Sequence, residues 1–212
     1  MVRAPDVVDA ACALEADRGA YVDLADFNGH CVSNPDLCRL GGLTLSIWLK
    51  ISTLNHTKDG YLLSSGGQST SCHGVYVLFD ADASKLEIGF RGDDKCRFMT
   101  IPEASVPRNV WFHLALLVNV SAEDLDVFID AVRVNGSRHP CVSGSSDDCT
   151  WLSLGVSSPS VGQMNSSDRI NTGIDAAYSH LQVFDGLLPD CVIDHLKHCG
   201  EMGMFLKSFS HD

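Results

Sequence analysis

Cysteine is the residue with the most chemistry to offer in this sequence. Nine occur in 212 residues: Cys12, Cys31, Cys38, Cys72, Cys96, Cys141, Cys149, Cys191 and Cys199. No Cys-x-x-Cys is present, so neither a zinc ribbon nor a redox dithiol is signalled. The spacings read instead as staples. Cys31 and Cys38 bracket a turn signal, Asn34-Pro35-Asp36, and Cys141 and Cys149 bracket the turn-rich VSGSSDD. The runs 75–79 and 86–90 alternate around Asp80–Ser84. As a hairpin they place residues whose numbers sum to about 166 opposite each other, which predicts a Cys72–Cys96 bond at the open end. Cys191 and Cys199 lie on an expected helix, where their separation is about 12 Å of rise, beyond the roughly 7 Å limit of a disulfide. One of the two is expected to reach Cys12, leaving one odd thiol.

Other side chains point to the same compartment. Asn55-His-Thr, Asn119-Val-Ser, Asn135-Gly-Ser and Asn165-Ser-Ser fit the N-glycosylation pattern, where composition predicts roughly one by chance. Many cysteines and several acceptor sites together imply an oxidising, extracellular setting. Arg91-Gly92-Asp93 is an integrin-recognition tripeptide, which reads equally as a polar turn leaving a strand.

The sequence offers little catalytic or metal chemistry. Glu123-Asp124-Leu125-Asp126 offers carboxylates at strand spacing, but reads as a solvated turn entering a strand rather than a glycosidase pair. His195 and His198 share a helix face without a third ligand and read as a surface pair. His113, within an apolar run, reads as a core or rim histidine. No nucleophile elbow, phosphate loop or dinucleotide fingerprint occurs. No enzyme activity, cofactor or catalytic residue is expected.

The elements that must hold these residues are mostly strands. In LTLSIWLKI, Leu43, Leu45, Ile47, Leu49 and Ile51 face one way and Thr44, Ser46, Trp48 and Lys50 the other. Further strands are expected at 20–24, 61–65, 75–79, 86–91, 97–101, 111–120, 125–130, 151–155 and 176–184. The stretch 111–120 is apolar on both faces, which places it centrally in a sheet. Only 190–198 reads as a helix, with Pro189 before it and Gly200 after it. The polar stretch 157–172 reads as a long glycosylated loop. About ten strands and one late helix predict an all-β sandwich or barrel in a single domain, 1–212, with its core at about 20–199.

Composition narrows the function. Apolar residues make up 45% and charged residues 20%, as in a folded globular chain. The net charge of −12, from 27 acidic against 15 basic residues, argues against nucleic acid as a partner. No apolar run is long enough to insert into a membrane. The start, MVRAPDVVDA, lacks the apolar core of a signal peptide, so a secreted protein would present this chain as a mature fragment.

The order of the motifs resembles a known family. LTLSIWLK at 43–50, PRNVWFHLALLVN at 107–119, LDVFIDAVRVNG at 125–136, WLSLG at 151–155 and GIDAAYSHLQVFDGLLPDCVIDHL at 173–196 are similar to laminin-G-like and pentraxin-like domains. The resemblance implies a concanavalin A-like jelly-roll sandwich of two antiparallel sheets with one short late helix. NGHCVSNPDLCRLGGLTLSIWLK at 28–50 is further similar to the N-terminal pentraxin-like modules of adhesion G-protein-coupled receptors. The pentraxin disulfide between the strands at 43–51 and 111–120 is missing. So are the carboxylates after Leu154-Gly155 that would hold its calcium, so calcium-dependent phosphocholine binding is not implied. In some relatives an acidic residue at the position of Asp175 supports a structural calcium, with help from N-terminal carboxylates such as Asp23 or Asp26. The implied function is extracellular recognition or adhesion: a module that binds a protein or glycan, in the ectodomain of a cell-surface receptor. The alternatives are a calcium-dependent lectin, a carbohydrate-active enzyme on the same fold, or a self-associating matrix domain.

Overall fold

The computed structural model describes residues 12–14, 22–27, 29–52, 60–65, 73–80, 85–92, 95–141, 151–156 and 175–201. Within them the chain forms thirteen strands and one helix. The strands are β1 (Cys12–Leu14), β2 (Val22–Asp26), β3 (Gly42–Ile51), β4 (Gly60–Ser64), β5 (Gly74–Asp80), β6 (Lys85–Arg91), β7 (Cys96–Pro102), β8 (Phe112–Asn119), β9 (Asp124–Ile129), β10 (Val132–Arg133), β11 (Ser137–Pro140), β12 (Trp151–Val156) and β13 (Ala176–Asp185). The helix is α1 (Asp190–Glu201). A six-stranded sheet runs β1-β13-β3-β8-β9-β10 and a seven-stranded sheet runs β11-β7-β6-β5-β4-β12-β2. Every strand pair is antiparallel. This is a concanavalin A-like jelly-roll sandwich.

The period-two pattern explains the core. Leu43, Leu45, Ile47, Leu49 and Ile51 of β3 are all 3% exposed or less and join Phe112, Leu114, Leu116 and Val118 of β8 in one cluster. Val75, Val77 and Phe79 of β5 and Leu86, Ile88 and Phe90 of β6 meet them from the other sheet. Each such side chain removed from water stabilises the fold by about 1.5–3 kcal/mol. β8 lies centrally between β3 and β9, as its two-sided apolar run predicts.

The other side of β3 departs from a simple polar face. Thr44, Ser46 and Trp48 are all buried. α1 packs on this side of the sheet, setting Ile193 and Leu196 against Ala115, Leu117 and Phe128. The helix starts after Pro189, whose carbonyl accepts the Val192 and Ile193 amides. It runs through Gly200 to Glu201, slightly beyond the expected stop. Thr44 fixes its approach: its hydroxyl donates to the Gly186 carbonyl at 2.8 Å and accepts from the Leu188 amide at 3.1 Å.

The cystine pattern corrects the sequence reading. Cys31 and Cys38 are joined, closing the loop before β3. Cys96, however, bonds Cys141, and neither the Cys72–Cys96 nor the Cys141–Cys149 bond forms. The β5–β6 hairpin does not reach Cys96 because the strand after the turn stops at Arg91. β5 and β6 pair with Gly74 opposite Arg91, and Cys96 then starts β7 on the far side of β6. β11 pairs with β7 so that Pro140 faces Arg97. One step further along that register Cys141 faces Cys96, at a Cα separation of 5.3 Å. Cys72 and Cys149 lie outside the described residues. Cys191 is exposed and unbonded, which removes it as the partner of Cys12. A Cys12–Cys199 bond rests on side chains outside the described set, as does the loop 157–172.

Candidate ligand-binding face

The register of the seven-stranded sheet decides which residues share its outward side. Glu87 and Gly89 of β6 lie between Leu78 and Tyr76 of β5 and Thr100 and Phe98 of β7. Ser137 and His139 of β11 continue these two rows beyond Thr100 and Phe98. Tyr61, Tyr76, Leu78 and Phe98 form a cluster of their own, separate from the sandwich core. One row therefore reads His139, Phe98, Gly89, Tyr76 across four strands. The next reads Ser137, Thr100, Glu87, Leu78, Tyr61.

Gly89 is required where it stands. A Cβ there would lie 2.6 Å from the Tyr76 hydroxyl oxygen and 2.8 Å from the Phe98 Cβ. Tyr76 lies across the gap and donates its hydroxyl to Glu87 Oε1 at 3.0 Å. Burial first, and the Glu87 carboxylate second, raise the Tyr76 pKa far above the ordinary phenol value, so the hydroxyl remains a donor. Lys85 Nζ stands 3.8 Å from Glu87 Oε2 and 3.3 Å from Asp80 Oδ2. Tyr61 and Tyr76 are buried, whereas Phe98, Thr100, His139 and Glu87 are partly exposed. The Phe98 and His139 rings stack, with centroids 4.9 Å apart and planes 24° apart. Thr100 Oγ1 lies 3.4 Å from His139 Nε2. The Cys96–Cys141 bond is the next cross-strand pair on this side and braces both strands.

The opposite sheet buries a second polar group. His113 is fully buried, with Nε2 2.8 Å from Ser46 Oγ and its ring packed on Trp48 at 5.7 Å. His113 Nδ1 and Trp48 Nε1 have no hydrogen-bond partner among the described residues. Burial, with the Lys197 charge second, lowers the His113 pKa to about 4, so the ring is neutral at physiological pH. It is a core histidine, as the apolar run around it suggests.

The remaining candidates separate. Arg91 is 3% exposed and Gly92 backs onto the Asp36 carboxylate. The integrin tripeptide therefore does not present its arginine to a partner, and Asp93 lies outside the described residues. Glu123, Asp124 and Asp126 are taken up by Arg97, Arg138 and Arg133 in ion pairs around the turn into β9. His195 and His198 are exposed on α1, and His198 Nδ1 stands 2.7 Å from the Asp194 carbonyl oxygen. Asn135 is exposed, and Asn119 is partly exposed with its Oδ1 accepting the Ala122 amide. Asn55 and Asn165 lie outside the described residues. The Asp175 carbonyl accepts the Ser52 amide, and the side chains of Asp23 and Asp26 are not described. Among the described residues no group of three or more His, Cys, Asp or Glu could hold a metal ion.

The outward group of Tyr76, Glu87, Phe98 and His139, drawn from two neighbouring rows, was missed from the sequence. His139 falls in SRHP, a polar, proline-containing stretch of the kind confined to edge strands, which hides its pairing with β7. A glycine inside the alternating run 85–91 was the available signal, since such glycines often mark a close approach.

Comparison with known proteins places this geometry. A family model, a laminin G domain of the concanavalin A-like lectin/glucanases superfamily, matches residues 18–193. No curated protein sequence matches the chain. Among solved structures, the receptor binding domain of botulinum neurotoxin D is similar with a TM-score of 0.63 at 12% identity, over 93% of this chain and 45% of that one. The serotype D ligand binding domain in complex with N-acetylneuraminic acid is similar with a TM-score of 0.61 at 12% identity, over 93% and 44%. A heptameric SAP-like pentraxin from Limulus polyphemus gives 0.48 at 15% identity, over 76% and 71%. The chain spans less than half the length of the toxin domains, and at such identities the likeness is one of fold.

Proposed function

The chain belongs to the concanavalin A-like lectin/glucanases superfamily as a laminin-G-type domain, and on that premise we propose that it is an extracellular recognition module. It binds a protein or glycan ligand without transforming it, within the ectodomain of a cell-surface receptor of adhesion G-protein-coupled type. The observation that carries the reading is the Cys96–Cys141 clamp beside the partly exposed Phe98–His139 pair: an oxidised staple holding an edge strand, and with it a preformed surface. Support for the receptor setting is the Cys31–Cys38 loop directly before β3, the feature that the receptor modules share. N-linked glycans at Asn119 and Asn135 are part of the same proposal.

The test is to secrete the domain from cultured animal cells, tetramerise it and apply it to a panel of cell types and matrices. Staining that saturates and is competed by untagged domain is expected. Staining no greater than that of reduced, alkylated protein on every surface would overturn the proposal.

A further inference from the structure

Resting on the recognition reading but not on the sheet surface, we propose a second docking point at one end of the sandwich, in the turn Cys38–Gly41, that takes an acidic segment of a partner protein. The Gly41 amide donates to the Cys38 carbonyl at 3.3 Å, which puts Arg39 and Leu40 at the two corners of the turn. Both are exposed, Leu40 at 71%. The turn is held on both sides. Cys38 is bonded to Cys31 upstream. Downstream, the Gly41 carbonyl accepts the Ser121 amide at 3.2 Å and the Ser121 hydroxyl at 3.4 Å. The corner is therefore fixed before any partner arrives, which lowers the entropy lost on binding.

A second loop completes the patch. A Cβ on Gly186 would lie 3.2 Å from Leu40 Cδ1, and a Cβ on Gly42 would lie 2.9 Å from Leu187 Cδ2. The chain entering β3 and the chain leaving β13 thus interlock, and Leu187, 38% exposed, stands beside Leu40. Leu37, 43% exposed, belongs to the same disulfide-closed loop. Apolar side chains scattered singly over a surface carry no message, whereas a fixed group of them marks a contact site.

Charge and size choose the occupant. The chain carries a net −12, and Arg97, Arg108, Arg133 and Arg138 each hold a carboxylate. Arg39 is exposed and holds none among the described residues. The carboxylate of its own loop, Asp36, is turned against Gly92, and Asp185, exposed at the end of β13, makes no ion pair with it. A guanidinium left open beside leucines fits a carboxylate beside an aliphatic side chain. Three partly exposed leucines cover a few hundred Å² at most. A stable pair of folded domains buries about 800 Å² per partner. The patch therefore suits a short segment rather than a second copy of this chain, whose like net charge also opposes pairing.

Random linear peptides displayed on phage are selected on the secreted domain, and the enriched peptides are synthesised and measured by fluorescence polarisation. Enriched sequences are expected to pair aliphatic residues with Asp or Glu. Leu40→Ser should weaken their binding about tenfold or more. Arg39→Glu should weaken it likewise, and selection repeated on that variant should enrich Lys and Arg instead. Both side chains are exposed, so both variants should melt as the parent does. Val132→Ser, an exposed apolar position on β10, should bind as the parent does. Binding untouched by Leu40→Ser and Arg39→Glu would overturn the location, and enriched peptides without carboxylates would overturn the partner class. A dimer of the unliganded domain in sedimentation, abolished by Leu40→Ser, would make the patch a self-interface and overturn the proposal. No enrichment, with saturable staining of cells by the tetramerised domain, would overturn the docking point and leave the recognition reading intact. Failure of both would sink the recognition reading itself.

Discussion

His113 shows what a single buried side chain does to the whole fold. Its pKa falls from 6.5 to about 4 because the ring is desolvated beneath α1, with Lys197 nearby. A base whose folded pKa is depressed takes up protons more readily when unfolded. Its contribution to stability is complete above about pH 6.5 and is lost as pH falls toward 4. Between neutrality and pH 4.5 that loss is roughly 2–3 kcal/mol. Urea unfolding of a His113→Gln variant is expected to show a shallower decline over this range than the parent. Parallel curves would contradict the assignment. Gly89 makes the opposite point, since its whole contribution is an absent atom. Gly89→Ala would press a methyl group into Tyr76 and Phe98, and overpacking of this kind costs about 1–3 kcal/mol. A denaturant midpoint unchanged from the parent would refute that close approach. At this scale the sequence was partly readable. An apolar run around His113 implied burial, whereas Arg91-Gly92-Asp93 looked presentable because nothing in three residues reveals that Arg91 faces a covered part of the sheet.

Among the elements, β11 carries the largest surprise. Its four residues, SRHP, have neither alternation nor β-branched character, and the strand exists because β7 offers an open edge and Cys141 is tied to Cys96. Long alternating strands such as β3 and β8 were legible, because each turned residue sends its neighbour to the other side. Their register was not, because it depends on where a turn interrupts the run. The chain leaves β6 after Arg91, and every cysteine partner downstream follows from that stop. The two described staples should differ in worth. Cys96–Cys141 spans 45 residues and Cys31–Cys38 spans seven. Loop-closure entropy then assigns about 4 kcal/mol to the first and about 2 kcal/mol to the second. Thermal melts of the Cys96→Ser/Cys141→Ser and Cys31→Ser/Cys38→Ser double variants should fall in that order. Non-reducing peptide mapping should recover the Cys96–Cys141 pair, and a Cys72–Cys96 peptide would contradict the register of β11.

Across the whole molecule, the sandwich was legible because alternation, turn spacing and a single late helix all agree. The proposed binding surface was not, because the row His139, Phe98, Gly89, Tyr76 is assembled from four strands and no stretch of sequence contains it. Melting temperatures compared in calcium and in EDTA test for a metal site. A rise of several degrees in calcium would establish a site that the described residues do not form. The most direct test of recognition through the seven-stranded sheet is a pair of glycan wedges. Thr100→Asn with Pro102→Thr installs an N-glycan on the outward side of β7, and His195→Asn with Lys197→Thr installs one on α1. Saturation binding of the secreted domain to a cell type that the parent stains should vanish with the first wedge and persist with the second. Binding that survives the wedge on β7, or that is lost only with the wedge on α1, would contradict it.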